Sequence, residues 1–201
     1  MIAPLQAQPL RRVRGTLGAW VLPTALACSL VVTGASGLIY QVVWFRLLGT
    51  IFGVTVYATS AVLAAFMAGL ALGSLLAAHL SDRLRRPLLG YGLAEVGIGL
   101  IGLGSLPLLE GLQPLYRLLA LQWQEAVPLL AAGRFVLAFL VLVVPTTLMG
   151  ATLPLVVTAT AAVSPAVARN TGLLYAGNTS GAILGAFGAG FFLLGSVGLT
   201  G

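Results

Sequence analysis

Long apolar runs fill this chain, and its polar residues fall mostly between them. Residues 16–45, 54–80, 88–109, 127–163 and 171–194 are each nearly free of charge. About 20 apolar residues suffice to cross a bilayer as a helix. The pattern therefore predicts an all-α fold, a polytopic transmembrane helix bundle of about five spans (residues 16–201) behind a basic leader at residues 1–15. Between the runs lie short polar or glycine-containing turns, at residues 49–53 and 81–87, and a longer loop at residues 110–126. An odd number of spans puts the two termini on opposite sides.

Composition strengthens this reading. Of 201 residues, 59% are hydrophobic and 7% charged, against about 25% charged in ordinary globular domains. The net charge of +6 comes from ten arginines against four acids, with no lysine. These arginines form no nucleic-acid patch. Arg11, Arg12 and Arg14 precede the first run, Arg83, Arg85 and Arg86 lie between the second and third, and Arg169 precedes the last. That spacing follows the positive-inside rule and predicts a cytoplasmic N-terminus. The partner so implied is the lipid bilayer, with no nucleic acid.

Within the runs, small residues mark expected helix contacts. Gly69 and Gly73 form a GxxxG pair, and Gly177, Gly181, Gly185, Gly188 and Gly190 form a ladder in the last run; such residues let backbones approach closely. Gly97, Gly99 and Gly102 spell G-x-G-x-x-G, but inside an apolar helix rather than between a strand and a helix, so a packing face is expected, not a nucleotide site. Gly34 and Gly37 are expected to kink the first run or admit a neighbour. The fourth run, nearly twice the length a membrane needs, contains Pro145 and Pro154. One long kinked helix is expected there, its threonines re-satisfying the carbonyls that proline frees; a re-entrant break is the alternative. Cys28 cannot form an internal disulfide and is expected to act as a small buried hydrophobe. His79 has no neighbours that complete a metal site, so no metal or cofactor is expected.

A few polar residues lie at membrane depth and need a reason. Glu95 sits eight residues into its run, about 12 Å at 1.5 Å per residue, where an ionised carboxylate must be paired or protonated. Asn178 lies at similar depth in a run of the same direction, with Tyr175 nearby. Two readings stand: a shared inward pocket for a proton or an amine, with Gln41 and Tyr40 contributing, or a protonated Glu95 bonded to a neighbouring helix. Tyr40 and Trp44 are expected where hydrocarbon meets headgroups. Gln41, Arg46, Arg134 and Glu125 make either a second polar cluster or a set of snorkelling side chains.

Four stretches resemble one known group. They are residues 36–48 (SGLIYQVVWFRLL), 54–73 (with AAFMAGLALG at 64–73), 145–154 (PTTLMGATLP) and 174–194 (with YAGNTSGAILGA at 175–186). The group is the membrane half of the fused major-facilitator/spermidine-synthase-like proteins of bacteria, and the resemblance covers most of the chain from about residue 25 onward. The loop at residues 78–86 (AHLSDRLRR) also resembles the G-x-x-x-D-R-x-G-R-R loop of major facilitators, with Ala78 for its first glycine and the inner glycine missing. The resemblance implies part of a major-facilitator half in a bacterial inner membrane. It also implies a cytoplasmic latch built from Asp82, Arg83, Arg85 and Arg86. On the bland reading this is a charged loop that sets topology.

The soluble synthase-like domain of that group has no counterpart here. One aspartate and three glutamates on separate segments cannot build its site, so the chain is not expected to be an enzyme by itself. A chain truncated before a further helix, partnered by a further helical half or a synthase-like domain, is expected. Two functions follow: a transporter-like module for a small cationic solute such as a polyamine, or a membrane anchor for a synthase-like partner domain.

Overall fold

The computed structural model describes residues 18–80, 83–123, 125–163, 171–193 and 195, with side chains from residue 24 onward. It is an all-α bundle of five helices: α1 (Gly18–Phe52), α2 (Val56–Leu80), α3 (Pro87–Gln122), α4 (Val127–Val163) and α5 (Thr171–Gly188), followed by a π-helical turn (Ala189–Leu193). Lipid offers the backbone no hydrogen bonds, so each crossing segment satisfies its own as a helix. The leader, Ser81, Asp82, the Ser164–Pro165 turn and Arg169 lie outside the described residues.

Four helices, α1 to α4, are long and apolar enough to cross a membrane, which fits a multi-pass membrane protein. The exterior agrees: Leu93, Leu100 and Leu103 on α3 and Ile183 and Leu184 on α5 are all exposed, Leu103 to 82%. Soluble monomers rarely expose contiguous apolar surface on this scale. The fifth helix is shorter, at 18 residues, and is not among the four. It nevertheless lies along the apolar part of α1. A Cβ on Gly181 would strike the Val31 carbonyl, and one on Gly185 the Ala35 carbonyl.

Close contacts fix the helix directions. Gly181 and Gly185 meet Val31 and Ala35 in ascending order, so α5 runs parallel to α1. Gly69 meets the Thr146 side chain, Gly73 the Thr147 carbonyl and Gly150 the Leu70 carbonyl, so α2 runs parallel to α4. Gly90 faces Leu155 while Gly133 faces Trp123, so α3 is antiparallel to α4. On α1, Thr33 meets Glu95 of α3 and Tyr40 meets Gly102 in ascending order, so α1, α3 and α5 point one way and α2 and α4 the other. Glycine makes both parallel seams possible, because a Cβ at Gly73, Gly150, Gly181 or Gly185 would overlap a neighbouring backbone, and one at Gly69 the Thr146 side chain.

Several expectations need correction. Helix α1 does not give way to a turn at Gly49; it continues to Phe52. Trp44, Leu48 and Phe52, spaced by four, bury one continuous stripe. The turn is shorter: Gly53 takes a left-handed φ of 83°, open to glycine without cost. The Ala58 amide then donates to Thr55 Oγ1 at 3.2 Å, a cap on the first turn of α2. Trp44 faces the inside of the bundle and not its outer surface. It is 2% exposed in the core and stacks on Tyr40 with ring centroids 5.2 Å apart. Gly102 makes room for the Tyr40 ring, which its Cβ would strike.

Residues 110–122 are helix rather than loop, because Leu109, Leu112, Tyr116 and Leu119 keep a helical stripe packed on the core. Pro107 and Pro114 are accommodated within it. Helix α4 is one continuous helix through Pro145 and Pro154. The carbonyl that Pro154 frees, on Gly150, is satisfied not by a threonine but by Ser74 of α2, whose Oγ donates to it at 3.0 Å. Cys28 is exposed, since it lies two residues, about 200° around the helix, from the buried Leu26. Glycines 188 and 190 face open space, so the α5 ladder packs only at 177, 181 and 185. In the G-x-G-x-x-G stretch, Gly97 touches Leu148 and Gly102 meets Tyr40, while Gly99 is free of contact.

Candidate functional site: a polar cavity between the helix pairs

Between the two glycine seams lies a cavity of about 260 Å³, walled by residues from all five helices. Its polar lining is Thr33 and Ser36 from α1, Ser74 from α2, Glu95 from α3, Thr152 from α4, and Tyr175 and Asn178 from α5. The rest is apolar, chiefly Phe66, Leu70, Ile98, Met149 and Leu153. Ligand pockets usually span about 300–1,000 Å³, so this one suits a small solute.

Glu95 is held rather than loose. Thr33 Oγ1 donates to Glu95 Oε1 at 2.6 Å, within the short range of hydrogen bonds to a carboxylate. The Tyr91 hydroxyl lies 2.9 Å from the same Thr33 oxygen. A threonine hydroxyl has one proton. With that proton on Glu95, Tyr91 must donate to Thr33. The result is a directed chain, Tyr91 to Thr33 to Glu95, tying α3 to α1. Tyr91 itself is buried, on the face it shares with Glu95 four residues on.

The described contacts give Glu95 no arginine. Arg46 lies thirteen residues beyond Thr33 on α1, about 20 Å along the helix axis. Arg134 sits at that same far end, donating to the Tyr116 hydroxyl at 3.1 and 2.9 Å and to Thr55 at 3.5 Å. Arg83, Arg85 and Arg86 are exposed, and Arg86 precedes Glu95 by nine residues, about 13 Å. Thr33 leaves most of the acceptor capacity of Glu95 free for whatever enters the cavity.

Of the residues picked out from sequence, Glu95, Tyr175 and Asn178 line this one cavity. Tyr40 and Gln41 do not line it; Tyr40 is turned to Trp44 and Gly102. The proposed outer cluster divides: Arg134 bonds Tyr116 and Thr55, whereas Arg46 lines a separate groove beside Thr59 and Val62. The Tyr116 hydroxyl in turn donates to the Phe52 carbonyl at 3.3 Å, closing that end of the bundle over α1. His79 is exposed, with Nδ1 2.9 Å from the Leu75 carbonyl. Asp82 of the proposed latch lies outside the described residues.

Sequence reading missed Thr33, Ser36, Tyr91, Ser74 and Thr152. Tyr91 had a usable signal, its i−4 spacing from Glu95. Thr33, Ser36 and Ser74 had none, because small hydroxyls are common in membrane helices and only the packing shows which of them face the cavity. Compared with known proteins, the chain matches no protein-family model, no curated protein and no solved structure.

Proposed function

We propose that the chain is a transporter-like membrane module that takes a small cationic solute, such as a polyamine, against Glu95. One observation carries this reading: a single carboxylate, oriented by Thr33 and far from any described arginine, lines a cavity that every helix helps to wall. A charge at that depth is costly unless a proton or a cation meets it. The resemblance to the fused major-facilitator/spermidine-synthase-like group agrees with this chemistry. In that setting the membrane is the bacterial inner membrane and the N-terminus is cytoplasmic. The exposed Arg83, Arg85 and Arg86 then lie on the cytoplasmic side, and with Asp82 they form the latch.

Isothermal titration of putrescine and spermidine into the protein in lipid nanodiscs tests the reading. Wild type binds, and Glu95→Gln weakens binding at least about tenfold, as loss of a charge-assisted contact demands. Undiminished binding in the variant contradicts the proposal. Binding without uptake into proteoliposomes favours the other role, an anchor for a synthase-like partner domain.

A further inference from the structure

Three hydroxyls of the cavity wall, on α1, α2 and α4, direct their protons to protein acceptors. Thr33 gives its hydroxyl proton to Glu95. Thr152 gives its own to the Met149 carbonyl at 2.7 Å. Ser74 gives its own to the Gly150 carbonyl at 3.0 Å. Each of these hydroxyls has spent its single donor and keeps only acceptor lone pairs.

Pro154 adds to this imbalance. It has no N–H, so the carbonyl four residues back, on Gly150, lacks its partner in the helical ladder. Gly150 and Ser74 both line the cavity. A carbonyl has two lone pairs, and Ser74 occupies one. Carbonyl and hydroxyl oxygen together make a second acceptor pole, supplied by α2 and α4, separate from the carboxylate on α3.

We infer that the cavity is a two-pole acceptor site for a linear diamine. One ammonium sits on Glu95, and the second presents its N–H groups to the Gly150 carbonyl and Ser74 Oγ. The inference rests on the cationic-solute reading above and adds to it the number and placement of the charges. A bare metal ion is a poor occupant. The cavity of about 260 Å³ is several times the roughly 30 Å³ share of one water, leaving an ion with few direct ligands. A linear diamine instead supplies an N–H donor group at each end, one for the carboxylate and one for the Gly150–Ser74 pole.

The test compares putrescine with n-butylamine, which keeps the chain and one ammonium, on protein in nanodiscs by titration calorimetry. Wild type prefers putrescine by about tenfold, the size of one charge-assisted contact. Pro154→Ala restores an N–H that returns the Gly150 carbonyl to the helix, so the preference collapses while butylamine binding holds. Ser74→Ala removes the hydroxyl oxygen and lowers the preference independently, which covers a Pro154→Ala protein that does not fold. Equal affinity for the two amines in wild type, or a preference untouched in the folded variants, overturns the two-pole site but leaves the Glu95 reading standing. Binding of neither amine overturns both.

Discussion

The glycine seams and the cavity between them are built from the same kind of residue, used in opposite ways. At Gly69, Gly73 and Gly150, and at Gly181 and Gly185, the absent side chain lets a neighbouring helix come into contact. At Gly37, which lines the cavity, a Cβ would find nothing within 4 Å. Lipid supplies no hydrophobic force to press helices together, so association rests on close packing and a few polar contacts. The seams have the packing. The cavity between them has the polar contacts: the Tyr91–Thr33–Glu95 chain and the Ser74–Gly150 bond. The bundle is therefore two locked pairs that meet through apolar clusters and around a polar cavity, with α3 packed on α4.

This contrast can be broken most severely at a seam. Gly181→Leu forces a side chain into the Val31 backbone, and overpacking of this kind costs about 1–3 kcal/mol or more. The expected outcome is a large drop in the melting temperature of detergent-solubilised protein, or loss of the monodisperse peak on size exclusion. Gly188→Leu, seven residues on and facing open space, stays within about 0.5 kcal/mol of wild type, as surface changes do. A smaller effect on stability, but a full effect on binding, is expected from Gly37→Leu. Its side chain enters the cavity without meeting backbone, so melting changes by less than about 1 kcal/mol while amine binding is lost. Equal destabilisation at positions 37 and 181 would erase the distinction between seam and cavity.

The helices themselves were legible because apolar length alone marks a segment that must satisfy its own backbone in lipid. Their ends were less so. Pro114 and Glu110 read as loop, yet Leu112, Tyr116 and Leu119 continue a buried stripe, a signal visible only when the spacing is followed past the proline. Facing was harder still. In a helix apolar all round, no amphipathic stripe separates the core side from the lipid side, so Trp44 could not be assigned to the core nor Cys28 to the surface. Within the cavity, depth counting linked Glu95 to Asn178 and Tyr175, because a rare polar residue carries position with it. The partner hydroxyls of Thr33 and Ser74 carry no such mark. Only the crossing of α1 with α3, and of α2 with α4, reveals which carboxylate or orphaned carbonyl each one meets.

The central claim is that polar side chains at mid-membrane share one cavity that a solute can enter, while the surrounding helix faces meet lipid. Cysteine reactivity in proteoliposomes tests it directly, with Cys28→Ser as the background. Ser36→Cys, on the cavity wall, is expected to react with a cationic methanethiosulfonate and to be protected by putrescine. Val32→Cys, on an exposed apolar face, is expected to stay unlabelled because a charged reagent does not reach it through lipid. Equal labelling at both positions, or labelling at Ser36→Cys that putrescine leaves unchanged, contradicts the account.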